Sequence, residues 1–317
     1  MSSTSILIPC FNAASFIEAT LESVLNNMEK EDEVILVDDH SEDDSMGRAQ
    51  RWLDGKGAKH TVALNPSKGA CAARNHALAL SKGDFIQWLD ADDLLAKNKI
   101  ARQKQHLRSN PSTVVVSPFR PFVGDPRTGI ISDDREWPSS SDLSPSDWLA
   151  SGQMTIPACW LGHRTVFENA GAWDTTLKVN QDGEYFARVL AAADAVQVEP
   201  GVEVYYRRGV AGSVSHFTAE KAESLYRSVE SIHQTAISLE DSTRMRQMVA
   251  NLYQHAIYTA YPHCPKGQKR AESQLERLPT PDIHNPNAIS ALSKTFTRVF
   301  GWKALTRARM LRHRLTA

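Results

Sequence analysis

Over its first 95 residues the chain alternates short, nearly continuous apolar runs with helical stretches. The runs are Ser5–Pro9, Glu33–Val37, Thr61–Leu64 and Asp84–Leu89. Short apolar runs bounded by turn residues suit strands covered on both faces. Between them, Asn12–Asn27 carries Ile17, Leu21, Val24 and Leu25 at helical spacing, with Ser15 and Glu18 at capping-box spacing. Ser41 with Asp44 can cap a second helix running to about Leu53, and an alanine-rich helix spans Ala70–Leu80 before Gly83. This alternation with short connections predicts an α/β fold: a mostly parallel sheet wrapped by helices. Right-handed crossovers then bring the carboxyl ends of all these strands to one edge.

That edge collects chemistry. Pro9-Cys10-Phe11, Asp38-Asp39 and Asp90-Ala91-Asp92-Asp93 would meet there, where open α/β sheets bind ligands. The carboxylates after Trp88-Leu89 repel one another and call for a cation, hydrogen bonds or solvent. Mg²⁺ is held by one or two carboxylates together with substrate phosphates, so Asp92 as ligand with Asp90 assisting predicts a metal–diphosphate site. Asp93 reads as the cap of the next helix. Asp38 or Asp39 would accept a base N–H, or serve a turn or cap. Lys68-Gly69 and Arg74-Asn75 open a helix and would draw phosphate to it, or are solvated surface charges. Asp182, in Gln181-Asp182-Gly183-Glu184, opens another helix; its spacing favours capping, and a general base is the other role open to it. Trp137, Trp148, Trp160 and Trp173 are either core or sugar-stacking residues. His163, His216 and His263 lack ligand spacing.

Further on, a helix is expected over 97–107 and a strand over 113–116. The Pro-, Ser-, Asp- and Gly-rich stretch 117–146 would be a loop or hairpin beside the site, placed to close over a ligand as a lid. A short helix over 166–170, a longer one over 182–193, and strands at 195–198 and 202–207 follow. After Thr218 the chain turns helical, with Pro262, Pro265, Pro279, Pro281 and Pro286 marking a linker. The stretch 294–317 holds seven Lys and Arg and no acid; it is either a solvated terminal helix or a basic amphipathic one lying on an anionic membrane. A net charge of −1 gives no footprint for nucleic acid. Four widely spaced cysteines without a CxxC read as reduced thiols of a cytoplasmic protein. Neither a secretory leader nor an apolar run long enough to span a bilayer is expected.

ILIPCFNAASFIEATLESVL, EVILVDDHS, NPSKGACAARNHAL and GDFIQWLDADD, in this order and spacing, resemble the family 2 glycosyltransferases, inverting enzymes of the GT-A fold. The resemblance is most specific over about 4–95 and thins towards 215. It implies a GT-A domain over 1–217, with a nucleotide-binding half (1–95) and an acceptor-binding half (96–217), followed by a helical region over 218–317. It also implies a nucleotide-sugar donor, with a UDP-sugar favoured, Mn²⁺ or Mg²⁺, and a carbohydrate or lipid-linked acceptor, as in bacterial cell-surface polysaccharide or glycolipid synthesis at the inner face of the cell membrane. Pro9, Phe11 and Asp39 or Asp38 would border the base, Lys68 and Arg74 the nucleotide, Asp90 and Asp92 would form the DxD motif, and Asp182 matches the base. Gln181 stands where the family usually has Glu, and Gly209 where a His follows Tyr206-Arg207. A sugar nucleotidyltransferase is the rival enzyme reading, although Pro9-Cys10-Phe11-Asn12 lacks a Gly-rich phosphate loop. A degenerate carbohydrate-binding or scaffold protein is the non-enzymatic one.

Overall fold

The computed structural model describes residues 2–107, 110–132, 136–138, 142–153, 155–209, 217–285 and 301–308. The chain divides into two compact units, Met1–Thr175 with Gln181–Val214, and Thr176–Asn180 with Ser215–Ala317.

The first unit runs β1 (Thr4–Cys10), α1 (Ile17–Leu25), β2 (Glu33–Asp38), α2 (Ser45–Lys56), β3 (His60–Leu64), α3 (Ala70–Leu80), β4 (Phe85–Trp88), β5 (Leu94–Leu95), α4 (Lys99–Leu107), β6 (Thr113–Val116), β7 (Phe119–Phe122), β8 (Asp142–Leu143), α5 (Pro145–Ala150), β9 (Trp160–His163), α6 (Arg164–Asn169), α7 (Gln181–Ala191), β10 (Ala195–Val198) and β11 (Val204–Arg207). Eight strands form one sheet in the order β3-β2-β1-β4-β9-β6-β10-β8, and β5-β11-β7 form a small second sheet. The strands β1 to β4 are parallel, as the sequence predicts. β1 and β2 are sealed almost completely, which their unbroken apolar runs require.

Antiparallel β9, inserted between β4 and β6, was not anticipated. Its signal is short and interrupted by Gly162. That glycine serves packing: a Cβ there would meet Val114 Cγ1 at 3.1 Å and Phe167 Cε2 at 3.2 Å. The expected loop 117–146 includes β7, β8 and an isolated bridge between Phe122 and Ile130 among its described residues.

Three local expectations are corrected. α1 starts at Ile17 with Phe16 as its N-cap, so the Ser15–Glu18 capping box does not form. Ahead of the helix, the backbone N–H groups of Asn12, Ala13 and Ala14 are held by Ser41 Oγ, Ser45 Oγ and Asp43 Oδ2. Asp93 caps no helix: β5 follows it, and its buried carboxylate accepts the Arg207 N–H at 2.9 Å. The proline-marked linker contains a helix, with Pro265 at its first turn and Cys264 Sγ as its cap.

One polar cluster lies inside the first unit. The fully buried Lys99 Nζ donates to Gln87 Oε1 and Gln103 Oε1, both at 2.7 Å. The two amides continue to backbone carbonyls of Ala158, Val115 and Cys159. Burial pushes the Lys99 ammonium down to about 7.

The second unit holds α8 (Ala219–Leu239), α9 (Thr243–Ala260) and α10 (Pro265–Leu275). Thr218 caps α8 through Lys221 N–H, and Ser242 caps α9 through Met245 N–H. Leu225, Val229, Ile232 and Ala236 are buried on α8, as are Met245, Val249, Tyr253 and Ala256 on α9. Residues 176–180 run beside α8, where Lys178 and Val179 N–H reach Ser224 Oγ and Asn180 Nδ2 reaches Ser228 Oγ. Of the basic stretch 294–317, only 301–308 falls within the described residues.

Candidate active site

The ends of β1, β2 and β4 meet at one sheet edge, around a cavity of about 270 Å³ lined by Pro9, Phe11, Asp39, Arg74, Asp90 and Asp92 among others. β1 ends in a turn held open by Asn12, whose φ is 48° and whose Oδ1 accepts the Glu42 N–H. Phe11 on that turn is 57% exposed, an aromatic face open to the cavity mouth.

The Asp38-Asp39 pair is divided by the alternation of a strand end. Asp38 turns inward and accepts both the N–H and the hydroxyl of Ser41, at 2.9 and 2.6 Å; it does not line the cavity. Asp39 lines it, with a carboxylate fixed by the Gly69 N–H at 2.8 Å and by Asn65 Nδ2 at 2.7 Å. Gly69 has a φ of 120°, so the turn that aims this N–H favours glycine. Lys68 beside it is exposed and lies outside the cavity lining.

Arg74, on α3, sits nearly buried among acids. Its Nη2 donates to Asp90 Oδ1 at 2.8 Å, and its Nη1 lies 3.9 Å from Asp182 Oδ1. The structure thus brings together the DxD aspartate and the aspartate that opens α7, ninety-two residues apart. Burial pushes the Asp182 carboxyl up to about 6, against the pull of Arg74 and with the help of Asp90; 39% of the side chain remains open. Asp92 is likewise pushed up to about 6, by burial and then by Asp90. Asp93, more deeply buried, lies well above the usual carboxylate range for the same reasons.

Arg207, at the end of β11, organises the backbone of this acidic turn. Its N–H binds Asp93, its Nε donates to the Asp92 carbonyl at 2.9 Å and its Nη1 to the Gly124 carbonyl at 3.0 Å. Its guanidinium lies 4.7 Å from the Phe16 ring centre and 4.5 Å from that of Phe122. The sequence alone gave Arg207 only a motif position. Of the tryptophans proposed for sugar stacking, Trp148, Trp160 and Trp173 are buried core residues, which leaves no face for a sugar. Trp137 is partly buried against that core.

The donor set bears on a metal. Among the described residues, no three His, Cys, Asp or Glu side chains form a cage by themselves. A hard cation does not need one when diphosphate oxygens and water complete its shell. Asp92 lines the cavity and has its anionic form disfavoured by burial and by Asp90, a penalty that a cation would relieve. Asp90 is shared with Arg74. The residues therefore fit a divalent ion held chiefly through Asp92.

The family profile described as Glycosyl transferase family 2 matches residues 5–171, more than half of the chain. The chain belongs to glycosyl transferase family 2. The poly(ribitol-phosphate) beta-glucosyltransferase of Bacillus spizizenii is 25% identical over 290 residues, covering 86% of this chain and 43% of that protein. The UDP-Glc:alpha-D-GlcNAc-diphosphoundecaprenol beta-1,3-glucosyltransferase WfaP of Escherichia coli is 38% identical over 103 residues, covering 32% of this chain and 40% of that one. The match spans about two-fifths of the length of these curated relatives. Among solved structures, S. aureus TarS 1-349 in complex with UDP superposes with a TM-score of 0.63 at 15% identity, over 98% of this chain and 91% of that one. The complex of TarS 1-349 with UDP-GlcNAc gives 0.64 at 17% identity, over 87% and 79%. The family 2 chain has the GT-A fold that its sequence implied: a mostly parallel central sheet flanked by helices, followed by C-terminal helices.

Proposed function

We propose that this glycosyltransferase moves a sugar, with inversion, from a nucleoside-diphosphate donor, favoured to be a UDP-sugar, to an acceptor hydroxyl in the synthesis of a cell-surface polysaccharide or glycolipid. The observation that carries the reading is the convergence of Asp39, Arg74, Asp90 and Asp92 on one cavity, with Asp182 joined to it through Arg74. Phe11 offers a face to the base, and Asp39, pinned by Gly69 and Asn65, offers a fixed acceptor to a base N–H. Asp182 takes the proton of the attacking hydroxyl, and its carboxyl, raised towards neutrality, suits that exchange. Arg74 orients Asp182 and Asp90 together. Mn²⁺ or Mg²⁺ held by Asp92, with Asp90, would supply Lewis-acid stabilisation of the diphosphate leaving group. Relatives named for undecaprenol-linked and ribitol-phosphate acceptors support a lipid-linked or polymeric glycan acceptor.

A thermal-shift panel of nucleoside diphosphates and nucleotide sugars with Mn²⁺, followed by measured release of the nucleoside diphosphate, tests this. Stabilisation by one UDP-sugar and metal-dependent release of UDP are expected. Pyrophosphate release from a nucleoside triphosphate and a sugar phosphate would replace the reading with nucleotidyl transfer. In the same assay, Asp92→Ala should weaken UDP binding in the presence of Mn²⁺ at least about tenfold, read by calorimetry against a metal-free control; unchanged binding removes Asp92 from the metal.

A further inference from the structure

Helix α3 grips one residue of a distant loop twice. The Asn75 amide donates from Nδ2 to the Trp173 carbonyl at 3.0 Å, and its Oδ1 accepts the Trp173 N–H at 2.8 Å. One side chain thus satisfies both backbone groups of one residue, as a paired strand would. The preceding residue, Arg74, lays its guanidinium 4.6 Å from the centre of the Trp173 ring. The same indole stacks on Tyr185 at 3.9 Å with an interplanar angle of 13°. Tyr185 lies about one helical turn beyond Asp182 on α7. Trp173 therefore stands in contact with both the arginine and the helix that meet at Asp182.

A core residue needs only its ring buried, and Trp173 is 2% exposed. Burial alone accounts neither for a pinned peptide nor for a cation on the ring. The guanidinium serves Asp90 and Asp182 at once, two carboxylates from separate elements. Few rotamers of a long side chain do both, and a fixed aromatic surface against it selects one.

We infer that Asn75 and Trp173 are positioning residues for the reaction: through Arg74 and Tyr185 they set where Asp182 stands relative to Asp90. The effect on rate rests on the glycosyl-transfer reading; the mechanical coupling does not. A rigid scaffold behind a reacting group matters because a displacement of about 1 Å can cost about a hundredfold in rate.

The test uses the full chain carrying Asn75→Ala, Trp173→Phe or Trp173→Leu. UDP release from UDP-glucose and from UDP-N-acetylglucosamine with Mn²⁺ gives kcat and KM, with water as acceptor. Amide exchange read by mass spectrometry over 171–187 gives the coupling without any substrate. Asn75→Ala is expected to speed exchange at Trp173 and in the first turn of α7, and to lower kcat about tenfold or more while KM for the donor holds. Trp173→Phe, which keeps a ring against Arg74, should stay near wild type, whereas Trp173→Leu should follow Asn75→Ala. Unchanged exchange over α7 in Asn75→Ala overturns the inference, even in an active enzyme. So does a fall in kcat that Trp173→Phe and Trp173→Leu share equally and that tracks melting temperature. A wild-type chain inert towards every donor, with the exchange difference intact, overturns the transfer reading and leaves the coupling standing.

Discussion

At Asp182 the environment sets chemistry more than the residue type does. A carboxyl raised to about 6 by burial is protonated, and useless as a base, at acid pH; it becomes active as pH passes upward through 6. Asp92, raised by the same burial, would be returned to its anionic form by the cation it is placed to hold, which leaves Asp182 as the group that sets the profile. The expected kcat/KM profile in saturating metal therefore rises through about pH 6 with a slope of about one proton. Asp182→Asn should lower transfer by about a hundredfold to ten-thousandfold while calorimetric donor binding survives; near wild-type turnover would remove Asp182 as base. Much of the site at this scale was legible beforehand. The DxD pair, Asp39, Phe11 and Arg74 fall at strand ends or a helix start, where topology alone sends them to one edge. What sequence could not do was separate Asp38 from Asp39. The choice depends on Ser41 taking one and on Gly69, thirty residues downstream, taking the other. Arg207 was equally hidden as a support of the acidic turn, because its carboxylate partner lies 114 residues earlier.

Among the elements, the parallel quartet was readable because each strand is a nearly continuous apolar run and each connection is short. β9 was not, because a four-residue strand holding Gly162 carries no periodicity of its own and is specified by the neighbours that receive it. The capping box before α1 failed for a related reason: Ser41, Asp43 and Ser45 fix the backbone of residues 12–14 by tertiary contact, and the helix starts at Ile17, past the Ser15 position. The small sheet β5-β11-β7 shows what such non-local contacts support. Arg207 on β11 bridges the carbonyls of Asp92 and Gly124, with its planar head near two aromatic rings. Lysine keeps the charge but has neither the fork nor the flat surface. Arg207→Lys is therefore expected to weaken nucleotide binding about tenfold, with the acidic turn loosened and the main sheet intact; fluorescence titration with UDP and Mn²⁺ measures it, and an unchanged affinity would make Arg207 a structural residue only.

For the molecule as a whole, Lys99 ties stability to pH. The unfolded chain holds this proton up to about 10.5, whereas the folded chain releases it near 7. Unfolded protein thus binds more protons in that interval, so stability rises with pH from about 7 to about 10 and is lowest below 7. Lys99→Met should flatten this rise in urea unfolding between about pH 7 and 9, and should cost about 1–3 kcal/mol at the upper end by leaving the Gln87 and Gln103 carbonyls without their donor. A slope that persists in the variant would assign the linkage to another group.

The antiparallel strand in the middle of the large sheet also sets a timetable. Residues 4–88 complete four adjacent strands from one contiguous stretch of chain, with mostly local crossovers. Such a segment can collapse as soon as it leaves the ribosome, so the sheet edge that carries Phe11, Asp39 and Asp90 forms early. β4 then waits for β9, whose Leu161 pairs with Gln87 from roughly seventy residues further along the chain. At about 5–20 residues per second, that leaves a hydrophobic strand edge open for several seconds in each round of synthesis. During that interval the nascent chain most needs a chaperone, and slowing translation just before β9 should raise aggregation more than slowing it after.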